Sequence, residues 1–540
     1  MSVLQLPAEL VSLLHAAVAV LLLGLSLVAL PLAYRRAWRL WRAEEPLQER
    51  WSAAALVVAA VLRWAVAPLW LTMVFIGYRM TETAIQLVPV NHYGIGASAL
   101  YHMAFAMLPL DHRSLMAVNS LVGVLALPLH AALALQLLGS KVRAVRFLWL
   151  LAATPLLIQL DNSEANHVPT LWWLSGGLLL WLEFAQTRSR LALSGSLVLL
   201  VLAMTSRVEM VLLAPLLAYL ALWTVRGERP RALGRPTLPT ALLWLGTGTL
   251  LVPQLINLMQ AGLPLLPEPA ALVGRLGIAL TLSNVLLRPS LFPLGILLVA
   301  LPALRERKLW PLAAMAVVCV LAVAPDVDRG NMARVQAPAA LFVCMLAAAG
   351  LDRLVQSRMG SVVGRSRVAL ATWAAMAVSA AFTVPFLWAP SNERAEELFL
   401  RDALTHLPAG PYTLIRLSTE DRVPKQVGRE STTQLHFPDY LVKPPVGQAR
   451  LSSVAAWLER PDPGHPTYFF AGVRCFAAWR PDGQPPPAGL NEHPACRQLR
   501  KSAKLVPVFQ RTVPNHGDVW LNNYGDAAEL PLALYKVEAR

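Results

Sequence analysis

Residues 115–138 read LMAVNSLVGVLALPLHAALALQLL, a run without a single Asp, Glu, Lys or Arg. A helix needs roughly 20 apolar residues to cross a bilayer, and this run supplies them. Similar runs lie at 10–33, 52–77, 146–160, 168–185, 191–205, 208–225, 238–258, 290–304, 309–325, 336–355 and 367–390, and none follows in 391–540. They predict about twelve transmembrane helices, because an isolated strand would leave its backbone N–H and C=O groups unpaired in lipid. The shorter runs 146–160 and 290–304 either borrow flanking residues or end inside the protein, and 270–287 is a candidate re-entrant segment. Composition agrees: 56% of the 540 residues are hydrophobic, 15% are charged and the mean hydropathy is +0.50, values of a polytopic membrane protein.

The first run does not read as a cleavable leader. Glu9 precedes it, and Arg35, Arg36, Arg39 and Arg42 follow it, the reverse of a secretory signal. It predicts a retained helix with its N-terminus outside. The net charge of +15 invites a nucleic-acid partner, but the cations fall in alternate loops: Arg35–Arg50, Lys141–Arg146, Arg188–Arg190, Arg226–Arg235, Arg305–Lys308 and Arg353–Arg367. That is the pattern of cytoplasmic loops, so most of the excess reads as topogenic and no nucleic-acid partner is expected.

The same alternation places 391–540 outside the cytoplasm. Cys475 and Cys496 lie there, in a compartment that permits a disulfide, whereas Cys319 and Cys344 sit in apolar helices as packing residues. Strand-like runs Tyr412–Leu417, Thr467–Val473, Leu505–Gln510 and Leu532–Val537, separated by proline-rich turns, predict a small mixed α/β domain. No nucleophile elbow, P-loop or metal-ligand spacing occurs in it, which suits a lid or docking platform. The expected organisation is an extra N-terminal helix with its loop (1–51), a helical membrane domain (52–390) and this soluble domain (391–540).

Chemistry is expected where ionisable groups meet the outer ends of helices, since keeping them at membrane depth is costly. Four polar stations qualify: the loop from Gly77 through Thr81, Glu82, Asn91 and His92 to His112; Asp161-Asn-Ser-Glu-Ala-Asn-His167; Thr205-Ser-Arg-Val-Glu209; and Asp326-Val-Asp-Arg-Gly-Asn-Met-Ala-Arg334. All four fall on the outer side. The first should contain one or two short interfacial helices.

At these stations the chain resembles the GT-C superfamily of polytopic glycosyltransferases, especially the bacterial relatives of protein O-mannosyltransferases and of the lipid A aminoarabinose transferase. Glu82 with His92-Tyr93-Gly94 looks like the family's first outer loop, and Ser163-Glu164 like its Ser-Glu pair. Thr205–Glu209 looks like its Thr-Arg-Pro-Glu break, with an inserted Ser and Val for Pro. Arg334, Pro338 and Ala349-Gly-Leu-Asp-Arg-Leu354 look like its late loop and helix. The family often carries paired acids where Arg79-Met-Thr-Glu82 offers one.

The resemblance implies transfer of a sugar from a polyprenyl-phosphate or polyprenyl-diphosphate donor to a lipid, glycan or protein acceptor, with inversion, at the outer face of a bacterial cytoplasmic membrane. Such a step wants a carboxylate for the acceptor proton and cations for the departing phosphate. Glu82 is the candidate base, with Asp161 or Glu164 as alternatives. Arg207, Arg329 and Arg334 are candidate phosphate ligands, since guanidinium offers forked donors; Arg79, His92 and Tyr93 complete the candidate substrate-binding set. No protein metal site is expected, and a divalent cation bridging donor phosphate and carboxylate stays open. The rival readings are a lipid-carrier flippase, which needs the cations but no base, and a polytopic transporter, which should show internal repeats.

Overall fold

The computed structural model describes residues 8–42, 46–67, 96–109, 112–207, 209–227, 238–260, 292–321, 337–357, 392–417, 449–461, 464–472, 492–515 and 528–538, with isolated residues between them. The described residues up to Trp388 belong to a helical unit and those from Asn392 onward to a second unit.

The helical unit opens with α1 (Ala8–Arg42) and α2 (Pro46–Val61), and α2 runs into a π-helical turn, Leu62–Val66. There follow α3 (Gly96–Phe105), α4 (His112–Leu138), α5 (Lys141–Ala152), α6 (Pro155–Asp161), α7 (His167–Thr187), α8 (Arg190–Ser206) and α9 (Met210–Arg226). Helices α10 (Leu238–Thr249), α11 (Val252–Gln260), α12 (Leu294–Ala300), α13 (Trp310–Leu321) and α14 (Ala337–Ser357) complete it. Among the described residues three helical stretches are long and apolar enough to cross a membrane: Leu13–Arg42, Arg113–Leu138 and Ala337–Val355. Taking the bent pair α5–α6 as one span gives four. The described residues therefore make this a helical membrane protein without reaching the expected twelve spans; Arg190–Ser206, Met210–Arg226 and Leu294–Arg305 are apolar but short, and 270–287 lies outside the described residues.

The run 146–160 is a broken helix. Pro155 opens α6, and a residue before proline avoids the helical region, so Thr154 turns extended (φ −75°, ψ 114°). The two helices meet at 65°. At the far end of α5, Arg143 bonds both carboxylate oxygens of Glu306 (3.1 and 3.0 Å) and Asp352 Oδ2 (3.0 Å). Arg146 reaches Asp352 Oδ1 at 2.7 Å. This clasp joins α5, the loop after α12 and α14. Nearby, α14 and α12 approach so closely that a Cβ at Gly350 would overlap the Val299 carbonyl, a contact only glycine permits.

The second unit contains α15 (Asn392–Leu404), β1 (Tyr412–Arg416), β2 (Ala449–Ser453), α16 (Val454–Glu459), β3 (Thr467–Ala471), α17 (Pro494–Ser502), β4 (Lys504–Pro514) and β5 (Glu529–Glu538). The sheet order is β2-β1-β3-β5-β4. Strand β1 pairs in parallel with β2 and β3, while β5 runs antiparallel to β3 and β4. This is the expected small α/β domain plus one further strand, β2, whose residues Ala-Arg-Leu-Ser-Ser lack a β-branched or aromatic signal. Its core includes Ile415, Val454, Phe469, Leu499 and Ala533 with Cys475 and Cys496. The two cysteines form a disulfide, with Cα atoms 5.9 Å apart.

His493 caps α17, its Nδ1 accepting from the Ala495 N–H at 3.2 Å. Burial holds the imidazole at about 4, below its ordinary 6.5. A proton on Nδ1 would remove the acceptor. Folding with a neutral, buried His493 is therefore fully favoured above pH 6.5 and loses stability as pH falls toward 4, by about 2 kcal/mol at pH 5. Amide exchange of 494–502, corrected for intrinsic rates, should accelerate by up to about thirtyfold between pH 7 and pH 5. His493→Ser, which keeps an acceptor but does not titrate, should flatten that response.

Candidate active site

The turn between α6 and α7 is buried throughout: Asp161 is 9% exposed, Asn162 1%, Ser163 and Glu164 0%, Asn166 2% and His167 1%. Polar groups removed from water need partners, and removed charges need them most. The partners come from four helices distant in sequence.

Arg63, in the π turn, donates from Nε to Asp161 Oδ2 at 2.5 Å. Asn162 Nδ2 donates to the carbonyls of Arg63 (2.6 Å) and Ala67 (2.9 Å), and its Oδ1 accepts from the Ser120 hydroxyl (2.8 Å). From α4, Asn119 Nδ2 donates to the carbonyls of Ser163 (2.8 Å) and Ala165 (3.1 Å), the residues on either side of Glu164. The Tyr101 hydroxyl of α3 donates to Asn119 Oδ1 at 2.7 Å and lies within electrostatic reach of Glu164.

The break between α8 and α9 adjoins this turn. Asn166 Nδ2 donates to the Ser206 carbonyl at 3.0 Å, and Arg207 Nη1 approaches Asn166 Oδ1 at 3.5 Å. Arg207 leaves the helix in an extended conformation (φ −142°, ψ 134°). Its Nε donates to Glu209 Oε1 at 2.7 Å, and His167 Nε2 lies 3.5 Å from the same oxygen. Two carboxylates, a further glutamate, two guanidinium groups and an imidazole thus share one buried polar region.

Beside the Arg63–Asp161 pair lies a cavity of about 20 Å³ lined in part by Arg63, Asp161 and His130, room for one water molecule. Gly123, which also lines this cavity, packs against Asp161, where a Cβ would come within 2.8 Å of Oδ1. The helix–helix fit therefore fixes the carboxylate as well.

Of the candidates read from sequence, the structure brings Asp161, Glu164 and Arg207 together. Asp161 is committed to Arg63, which argues against its use as a base. Glu82, Arg79, His92, Tyr93, Arg329 and Arg334 lie outside the described residues. Arg63, Asn119 and Tyr101 were not singled out, although a lone arginine inside the apolar run 52–77 is itself a signal of an intramembrane partner. Among the described residues no group of three or more His, Cys, Asp or Glu is placed to hold a metal ion.

No protein-family model and no curated protein sequence matches the chain. Among solved structures, ArnT from Cupriavidus metallidurans is similar in its apo state, with a TM-score of 0.46, 14% identity and coverage of 90% of this chain and 97% of that one. The same protein bound to undecaprenyl phosphate gives 0.46 and 13% at the same coverage. The oligosaccharyltransferase of Archaeoglobus fulgidus, in complex with zinc and sulfate, gives a TM-score of 0.41 and 14% identity over 68% of this chain. This chain spans 60% of the length of that enzyme.

Proposed function

We propose that this chain is an integral-membrane glycosyltransferase that moves a sugar from a polyprenyl-phosphate donor to an acceptor at the outer face of a bacterial cytoplasmic membrane, where its α/β domain also lies. The observation that carries the proposal is the buried region itself: Glu164 and Arg207, 0% and 6% exposed, sit at the ends of apolar helices. Ionisable groups are kept in such places at a cost and mark function by default.

In the proposed step the acceptor hydroxyl attacks the anomeric carbon from the face opposite the phosphate, so that one C–O bond forms as the other breaks. Glu164 takes the hydroxyl proton. Polyprenyl phosphate leaves with the electron pair, and Arg207 offers its guanidinium to the charge that develops on the phosphate oxygens. Arg329 and Arg334 are further candidates for that role, Arg79, His92 and Tyr93 for binding the donor, and Glu82, the first candidate read from sequence, is the alternative base. The acceptor is a lipid, a glycan or a protein.

The reading is tested with full-length protein in vesicles supplied with a panel of radiolabelled polyprenyl-phosphate sugars. Transfer to an endogenous envelope fraction is expected from at least one donor. Failure with every donor, together with outward movement of the lipid carrier, would replace this reading with a flippase.

A further inference from the structure

Arg63 is 1% exposed and lies in the π turn that ends α2. The turn closes with Ala67 N bonded to Leu62 O at 2.8 Å, after which the chain is extended (φ −82°, ψ 135°). π turns are found frequently at functional sites. Here the interruption has a specific consequence. It presents the carbonyls of Arg63 and Ala67 to a single side-chain amide, that of Asn162.

Arg63 therefore grips the α6–α7 turn twice. Its carbonyl accepts from Asn162, and its guanidinium binds Asp161 while Nη1 reaches the carbonyls of Ala59 and Ala152, each at 3.3 Å. The Ala152 contact anchors the same guanidinium at the last residue of α5, just before the bend. Three carbonyls or carboxylates from α2, α5 and α6 thus converge on one planar cation, an arrangement an ammonium group does not reproduce. Residues 161 and 162 are fixed on one side of Glu164, and Asn119 fixes 163 and 165 around it.

A buried ion pair adds little net stability over an apolar pair of the same volume. What this one adds is geometry. We infer that Arg63 is a positioning residue, which with Asp161 as its partner fixes the turn that presents Glu164 to the acceptor. The inference rests on the proposed glycosyl transfer and assigns Asp161 a role other than base.

The test uses full-length wild type, Arg63→Lys, Asp161→Asn and the double variant in vesicles, with a donor that the wild type uses. Arg63→Lys should lower kcat by about tenfold to a hundredfold, the scale of a misplaced catalytic group, and leave the donor KM within about threefold. Asp161→Asn should lose a similar factor, and the double variant no more than the worse single one, because both act through one device. Melting temperatures, measured alongside, identify the variants that fold; if Arg63→Lys does not, the isosteric Asp161→Asn carries the comparison with wild type.

An unchanged kcat would overturn the inference. A raised donor KM at constant kcat would also do so, by placing Arg63 on the donor. A loss in Asp161→Asn far beyond that in Arg63→Lys would make Asp161 the proton acceptor and overturn it as well. Absence of transfer in the wild type would remove the functional reading and this inference together, whereas transfer in the wild type with normal kcat in Arg63→Lys would remove only the inference.

Discussion

Glu164→Gln should abolish sugar transfer to within about a thousandth of the wild-type rate while leaving the protein folded and able to bind its donor. The substitution keeps the size of a side chain that is 0% exposed, so packing around it changes little, and it removes only the capacity to take a proton. A thousandfold loss corresponds to about 4 kcal/mol of transition-state stabilisation, within the range that a positioned general base supplies. Retained donor binding, read as competition by unlabelled donor for a photoreactive polyprenyl phosphate, would separate loss of chemistry from loss of the site. Transfer within about threefold of wild type, well short of a base's contribution, would move the base elsewhere, and Glu82→Gln would be the next variant to measure.

Much of this could be read in the sequence because it is written locally. The apolar runs announce helices, the cluster 161–167 announces a polar break between two of them, and strand-like runs between proline-rich turns announce β3 and β5. Cys475 and Cys496 stand apart from the two cysteines in apolar helices for the same reason. What could not be read is pairing at a distance. Nothing near Asp161 and Glu164 in the chain tells the two acids apart; the difference is made by Arg63, 98 positions from Asp161. The bend before Pro155 was within reach, since proline disfavours a helical predecessor, but the apolar count over 146–160 obscured it. Strand β2 escaped because its place beside β1 is set by the parallel pairing of Tyr412–Arg416 with Ala449–Ser453 rather than by its own residues. Likewise Arg207 and Glu209 read in sequence only as a short polar break between two apolar runs, and the folded chain puts both side chains below a tenth exposed beside His167.

That last pair allows structure and chemistry to be separated. Arg207→Met keeps length and removes the charge, leaving Glu209 buried without its guanidinium. Loss of one partner from a buried pair costs about 3 kcal/mol or more, so the variant should melt well below wild type and transfer no sugar. On its own this result would not distinguish a phosphate ligand from a structural cation. The double variant Arg207→Met/Glu209→Gln does, because it removes the stranded carboxylate charge as well. Its melting temperature should return most of the way to wild type, as replacement of both partners of a buried pair commonly does. If Arg207 stabilises the departing phosphate, transfer should remain lost by about a hundredfold or more despite the recovered fold. If transfer returns with stability, the only task of Arg207 is to neutralise Glu209, and the cation that meets the phosphate must be sought among Arg79, Arg329 and Arg334.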